Sequence, residues 1–295
     1  MPCSLVCKLL PVLTLVVSIV DYQRKYQLQN MRIAMTIAGS DSGGGAGIQA
    51  DLRTFAFHCV HGTSALTCIT AQNTQGVSRV DALPPEAIAA QFEAIMTDMR
   101  VSAIKTGMLL NQEIIRATVK KLIAFGCGNV VVDPVMVSRT GAKLLDDDAI
   151  HTICDLLVPL AAIVTPNRYE AQILANMEIH SLEHMQEAAQ RIYKLGARSV
   201  LVKGGAMAGD LRGVDVWFDG DRLETLQTEF IDTPHTHGTG CTLSAAIAAN
   251  LALGKPHWQS VQEAKTYVTT ALKHSLAIGQ GQGPVGHFFP LLEKD

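Results

Sequence analysis

The chain has 295 residues, 48% of them hydrophobic and 17% charged, with a formal net charge of −3 at pH 7. That supply of apolar sequence builds one large α/β core, or two smaller ones, without staples or structural metals. The charge balance gives no basic field, and no Lys/Arg run interleaves with aromatics, so nucleic acid is excluded as a partner class.

In chain order, the first feature is an apolar run at 9–20, LLPVLTLVVSIV after Lys8. It has the length of a signal-peptide h-region, is short for a membrane span, and no small-x-small cleavage site follows it. Three readings stay open for 1–30: a targeting segment, a peripheral extension, or sequence upstream of a true start at Met31. None bears on the remainder, and 31–295 reads as a single domain.

From 31 onward, short apolar runs alternate with helical patterns. Strands are expected at 32–38, 63–70, 101–105, 129–133, 161–164 and 199–203. Helices are expected at 47–58, 85–98, 111–124, 168–175 and 182–195. This βαβ rhythm predicts a mostly parallel sheet with helices on both faces. After Gly205 two β-like runs, 213–218 and 222–227, flank the Asp-Gly-Asp turn at 219–221 as a hairpin, and helices follow at 239–252 and 259–278. No internal repeat and no long polar linker interrupts the series.

Two glycine turns precede helices. In AGSDSGGGAGIQADL, at 38–52, Gly43–Gly45 allow close backbone approach, and N–H groups at such a helix start can hold a phosphate or a polar ligand. The Lys-Ser/Thr pair of a P-loop is absent, and the glycine spacing fails the dinucleotide fingerprint. In HGTGCTLSAA, Gly238 and Gly240 flank Thr239, and the amides of 238–241 are placed to converge on a transferring phosphoryl group. The bland alternative is a tight turn that lets a small-faced helix lie on the sheet.

Cys241, at that helix start, is a packed thiol, a metal ligand, or a reactive group whose thiolate is favoured by the helix end. Metal ligation is the weakest of these, since His235 and His237 form no ligand spacing with it. The seven cysteines, Cys3, Cys7, Cys59, Cys68, Cys127, Cys154 and Cys241, are odd in number and lack a CxxC pair. They fit reduced thiols in a reducing, cytoplasmic compartment. Polar residues at strand ends, Gln72, Asn73, Lys105, Asp133, Asn167, Glu170 and Lys203, with Met108 beside them, point to one cleft along the carboxyl edge of the sheet.

Together, TIAGSDSGGGAGIQADLRTF at 36–55, ITAQNTQGV at 69–77, IKTGML at 104–109, DPVM at 133–136, TPNRYEA at 165–171, KGG at 203–205 and HTHGTGCTLSAA at 235–246 resemble the hydroxymethylpyrimidine/phosphomethylpyrimidine kinases of thiamine biosynthesis, a ribokinase-like family. The resemblance implies ATP and Mg2+, a homodimer, and phosphorylation of 4-amino-5-hydroxymethyl-2-methylpyrimidine and then of its monophosphate. It implies Cys241 where most ribokinase-like enzymes carry an aspartate base, with Gly238, Gly240 and Lys203 beside it. Gly39, Asp51, Thr70, Gln72, Met108 and Val135 then form the pyrimidine pocket, Gln72 reading the aminopyrimidine edge. Thr70 stands where the family often has valine, a change in pocket polarity. Asn167, Lys203, Thr239 and Gly240 contact the nucleotide, and Asp133 and Glu170 organise the metal. Two other functions remain in view: a pyridoxal kinase of the same fold, and a non-catalytic pyrimidine-binding protein.

Overall fold

The computed structural model describes residues 31–136 and 145–292; the readings for 1–30, including the apolar run at 9–20, lie outside the described residues. Nine strands form one sheet: β1 (Ile33–Asp41), β2 (His61–Gln72), β3 (Val77–Ala82), β4 (Val101–Thr106), β5 (Val130–Val132), β6 (Ile163–Val164), β7 (Val200–Val202), β8 (Asp215–Phe218) and β9 (Leu223–Leu226), in the order β3-β2-β1-β4-β5-β6-β7-β8-β9. The pairs from β2 through β7 are parallel. Both edges, β2–β3 and β7–β8–β9, are antiparallel. The expected mostly parallel sheet and the C-terminal hairpin are both present.

The strands alternate between two cores with the period of two that a pleated sheet dictates. Met35, Ile104, Val130, Val132, Val164, Val200, Val202 and Val216 face one core. Ala34, Ala103, Val131, Ile163, Leu201 and Trp217 face the other. Helices α2 (Pro85–Met96), α3 (Gln112–Ala124), α4 (Asp147–Thr152), α5 (Arg168–Ala175) and α6 (Leu182–Tyr193) contribute to the first layer. Helices α1 (Gly47–Phe57), α7 (Thr239–Ala252) and α8 (His257–Lys273) contribute to the second. Every residue of α7 from Thr242 to Ala252 is buried. Its run of alanines lets the helix lie close against β1, β4 and β5, with α8 covering its other side.

Local chemistry sets the helix starts. Asn111, Asp146 and Ser181 each accept a backbone N–H with their side chains as N-caps. Asn167 and Glu170 form a reciprocal capping box at α5. Two elements are absent from the sequence reading, and a third is shorter than expected. β3 is exposed along its whole length, so its sequence carries no alternation to read. α4 is six residues long and passes directly into a π-turn and a Pro159-containing 3-10 turn, too short for a helical period to emerge. The last helix ends at Lys273, short of the expected 278, because the chain beyond it turns back: Leu276 N–H donates to Pro284 O and Gly286 N–H to Ala271 O. No helix among the described residues is long and apolar enough to cross a membrane.

Candidate active site

The carboxyl ends of the parallel strands place Asp41, Gln72, Thr106, Asp133 and Lys203 along one edge of the sheet, and α7 starts there. The two glycine turns interlock at this edge. A Cβ on Gly238, which has φ +80°, would lie 1.8 Å from Gly45 O, and one on Gly45 would meet the His237 ring at 2.3 Å. Glycine at both positions is therefore a steric requirement of the contact.

Asp41 organises the first turn. Its Oδ1 accepts Gly43 N–H at 2.8 Å, and its Oδ2 accepts Gly45 N–H at 3.0 Å, Ala46 N–H at 2.8 Å and His237 Nε2 at 2.9 Å. Burial works against the carboxylate, but His237 and the Ala46 and Gly43 amides outweigh it and hold Asp41 below the usual carboxylate range. The amides of 43–46 are thus consumed internally, Gly44 N–H going to Asp41 O. This corrects the expectation that they hold a ligand. Sequence reasoning missed Asp41 and His237 as a pair because 196 positions separate them.

Two ion pairs, one fully buried and one partly buried, lie beneath the second turn. Lys105 Nζ donates to Asp51 Oδ1 at 3.0 Å and Oδ2 at 2.8 Å, with both side chains fully buried, and Thr36 Oγ1 donates to Asp51 Oδ2 at 2.6 Å. Asp51, expected in the pyrimidine pocket, is withdrawn into this pair. Lys203 Nζ donates to Asp133 Oδ1 at 2.9 Å, while Ser244 Oγ donates to Asp133 Oδ2 at 3.1 Å. A Cβ on Gly240 would sit 3.4 Å from Lys203 Nζ and 3.9 Å from Asp133 Oδ2. The start of α7 thus lies against this second pair.

Cys241 is half-buried in the first turn of α7, next to Gly240, the residue set against the Lys203–Asp133 pair. Burial pushes the thiol up to about 11, against the pull of the Lys105 ammonium and the Gly47 N–H, with Asp51 and Asp133 adding to the rise. The resting group is a neutral thiol. This corrects the expectation of a thiolate favoured by the helix end, because desolvation, invisible in the sequence position, outweighs it. Cys241 is a free cysteine, as are Cys59, Cys68, Cys127 and Cys154.

The remaining residues divide by what their side chains do. Gln72 is half-buried; its Oε1 accepts Thr70 Oγ1 at 3.2 Å and its Nε2 lies 3.4 Å from His237 Nε2. Since His237 Nε2–H is engaged by Asp41, the Gln72 amide nitrogen keeps its donors for another acceptor. The single Thr70 hydroxyl hydrogen is shared between Gln72 Oε1 and the nearer Ser40 O at 2.8 Å, so it is spent on linking β1 to β2 and orienting Gln72. Gly39 sits at the register shift of β1, where a Cβ would meet Cys68 Sγ at 2.6 Å and Met108 Cε at 3.0 Å. Met108 and Val135 are half-buried apolar residues at the same edge.

Thr239 Oγ1 donates to Thr236 O at 2.6 Å, and Asn167 Oδ1 accepts Glu170 N–H at 3.0 Å. Both polar groups expected to meet a nucleotide thus serve their own turns. Burial pushes Glu170 up to about 8; Lys203 opposes the rise and Asp133 adds to it. For Lys203, burial works against the charge, yet Asp133 and Glu170 outweigh it and hold the ammonium above the usual lysine value. No group of three or more His, Cys, Asp or Glu residues suited to a metal occurs among the described residues.

An α/β sandwich with its polar groups on the carboxyl edge of a parallel sheet, and a helix starting there at a Gly-Thr-Gly turn, is the architecture of a ribokinase-like small-molecule kinase. The phosphomethylpyrimidine kinase model matches residues 41–286, and the chain belongs to that family. It is 60% identical over 259 residues to the hydroxymethylpyrimidine/phosphomethylpyrimidine kinase of Synechococcus elongatus, covering 88% of this chain and 98% of that one. Among solved structures, the Bacillus subtilis pyridoxal kinase, an ADP complex, superposes with a TM-score of 0.83 at 41% identity, covering 89% of this chain and 100% of that one. The Clostridium difficile phosphomethylpyrimidine kinase superposes at 0.74 with 40% identity, covering 82% and 99%.

Proposed function

We propose that this protein transfers the γ-phosphoryl group of ATP to the hydroxymethyl oxygen of 4-amino-5-hydroxymethyl-2-methylpyrimidine, then a second phosphoryl group to the monophosphate, giving the diphosphate for thiamine biosynthesis. The observation that carries the reading is the position of Cys241, in the first turn of α7 next to the Gly240 that meets the Lys203–Asp133 pair, at the edge where Gln72 offers an amide. The names of the relatives and the ADP complex of the pyridoxal kinase support kinase chemistry and a nucleotide substrate.

Transfer needs an in-line hydroxyl and donors aimed at developing charge. The Gln72 amide orients the pyrimidine by pairing with its N/NH2 edge. As the substrate O–H breaks, its proton passes to the Cys241 thiolate and forms S–H. The freed electron pair makes the new O–P bond while the bridging P–O bond breaks with its pair onto ADP, and the thiol later returns its proton to water. With a thiol at about 11, the reactive form is about one molecule in a thousand at pH 8. The Gly240 and Cys241 amides, unpaired within α7 as helix-start donors are, and Lys203 stabilise the phosphoryl charge.

Mg2+ takes one or two carboxylates together with phosphate oxygens. Asp133 and Glu170 fit that need as two buried carboxylates on the segments that follow β5 and β6. Bound there, the metal would screen the polyphosphate.

A domain spanning 31–295, a homodimer and cytoplasmic residence belong to the same proposal and rest on the resemblance. A pyridoxal kinase is the second reading, favoured by the close superposition on the Bacillus subtilis enzyme. Purified protein with Mg-ATP and the hydroxymethylpyrimidine is expected to give mono- and diphosphate by mass. A kcat/KM clearly higher for pyridoxal would reverse the order of the two readings, and pyrimidine binding without ATP consumption would replace both.

A further inference from the structure

The start of α7 lacks the device that fixes many helix starts. An N-cap side chain accepts the N–H of the second or third helical residue, and in α7 those residues are Gly240 and Cys241, whose amides the transfer reaction uses. The N-cap is Gly238, which makes no side-chain cap and has no room for a Cβ against Gly45 O. The turn is instead held from its carbonyl side. Gly238 O accepts two bonds from Thr242, the N–H at 2.9 Å and Oγ1 at 2.8 Å, and His287 Nε2 lies 2.9 Å from the same Oγ1.

Thr242 has one hydroxyl hydrogen, and a threonine within a helix directs it to the carbonyl four residues back. His287 then donates Nε2–H to Thr242 Oγ1. Both side chains are buried. An apolar side chain would fill the same space without desolvating two ring nitrogens, so packing alone does not account for histidine at 287. The segment that carries it is fastened on two sides. Val285 N–H donates to His237 O and His237 N–H to Gly283 O, both at 3.2 Å, which ties 283–285 to the glycine turn itself. Gly286 N–H donates to Ala271 O at 2.9 Å and the Tyr267 hydroxyl to His287 O at 3.1 Å, which ties 286–287 to α8.

We propose that His287 is a positioning residue for the transfer reaction: through the Thr242 hydroxyl it holds the carbonyl of Gly238, and so sets the first turn of α7 while leaving the Gly240 and Cys241 amides to the phosphoryl group. The inference rests on reading those amides as phosphoryl donors, and it adds to the site a residue distant in sequence from both glycine turns. The peptide unit is planar, so fixing the Gly238 C=O also fixes the Thr239 N–H behind it. The loop closed from Gly238 O to Thr242 encloses Thr239, Gly240 and Cys241.

The test compares wild type, His287→Phe, Thr242→Val and His287→Gln by steady-state kinetics with Mg-ATP and the hydroxymethylpyrimidine, with rates expressed per folded molecule. Phenylalanine keeps a ring without a donor, valine removes the hydroxyl at nearly constant shape, and glutamine returns an N–H. His287→Phe and Thr242→Val are each expected to lower kcat by about fivefold or more, the loss of one buried hydrogen bond, with KM for the pyrimidine held within about twofold. The double variant should fall no further than the weaker single one, because both act in one chain of bonds, and His287→Gln should recover most of the wild-type kcat. A lowered Tm with kcat per folded molecule unchanged, additive losses, or no recovery by glutamine overturns the proposal. If His287→Phe does not fold, the smaller His287→Leu takes its place. Amide hydrogen exchange of the peptide containing 239–243, measured on the full chain without substrate, should be several-fold faster in His287→Phe than in wild type and His287→Gln. Equal exchange overturns the proposal whatever the kinetics. Faster exchange in the variant of a wild-type protein that consumes no ATP overturns the proposed function instead.

Discussion

Replacing Asp41 with asparagine changes one atom and removes the charge that ties the two glycine turns together. The asparagine keeps one acceptor, enough for Gly43 N–H, and turns an NH2 toward Gly45 N–H, Ala46 N–H and His237, all now bonded to Oδ2 at 2.8–3.0 Å. Two backbone donors left facing a donor cost about 1–3 kcal/mol each. The exposed Ser42 and Gly43 let part of the turn rehydrate, so a net loss of about 2–3 kcal/mol is expected. For a chain of this size that lowers Tm by about 5–10 °C. The dependence on pH follows from the depressed Asp41 pKa. The group contributes its stability above the unfolded carboxylate value of 3.8 and loses it as pH falls through the lower folded value. The difference in stability between wild type and Asp41→Asn should therefore be full at neutral pH and shrink below pH 3.8. Denaturant titrations at neutral and acid pH, with kcat/KM at neutral pH, measure both parts. A loss under about 0.5 kcal/mol with unchanged kcat/KM would refute the idea that this carboxylate holds the turns together.

Gln72→Ala should raise KM for the pyrimidine by roughly 5- to 150-fold, the equivalent of about 1–3 kcal/mol for an unmatched polar edge, and leave KM for ATP unchanged; the reverse pattern would move Gln72 to the nucleotide half of the cleft. Gly238→Ala forces a Cβ to 1.8 Å from Gly45 O at φ +80°, and should cost more than the roughly 1–2 kcal/mol of a left-handed backbone alone, read as a Tm drop with loss of kcat. A chain begun at Met31 should retain the Tm and activity of the full chain within a few-fold, which parallel melts and assays check.

The layered fold was legible because its signal is local: strands such as VVV at 130–132 and helices such as 182–193 carry their own periodicity. β3 carried none, being exposed along its whole length. In the site, the glycine turns and Cys241 were readable as residue types, but their partners were not. Asp51 reads as an available carboxylate until the fold sets it against Lys105, 54 positions away. The Asn167-x-x-Glu170 spacing is a capping signature that the sequence does display, and it explains why Asn167 closes its own helix turn. The Cys241 thiol was misjudged for one reason: the pull of a helix start is local, whereas the desolvation that overcomes it comes from three-dimensional packing.

The central claim is that Cys241, as its thiolate, takes the proton of the substrate hydroxyl, and the pH profile of kcat/KM for the hydroxymethylpyrimidine, measured for wild type and Cys241→Ser at saturating Mg-ATP, tests it most directly. A thiol at about 11 places the working form above the assay range, so wild-type kcat/KM should climb close to tenfold per pH unit from 7 to 9. Cys241→Ser should keep the fold and its KM for ATP, and fall by roughly 10²–10⁴-fold, the usual size of a general-base contribution. A flat wild-type profile together with a Cys241→Ser kcat/KM within about threefold of wild type would contradict the claim and leave the chemistry to the α7 amides, Lys203 and the metal.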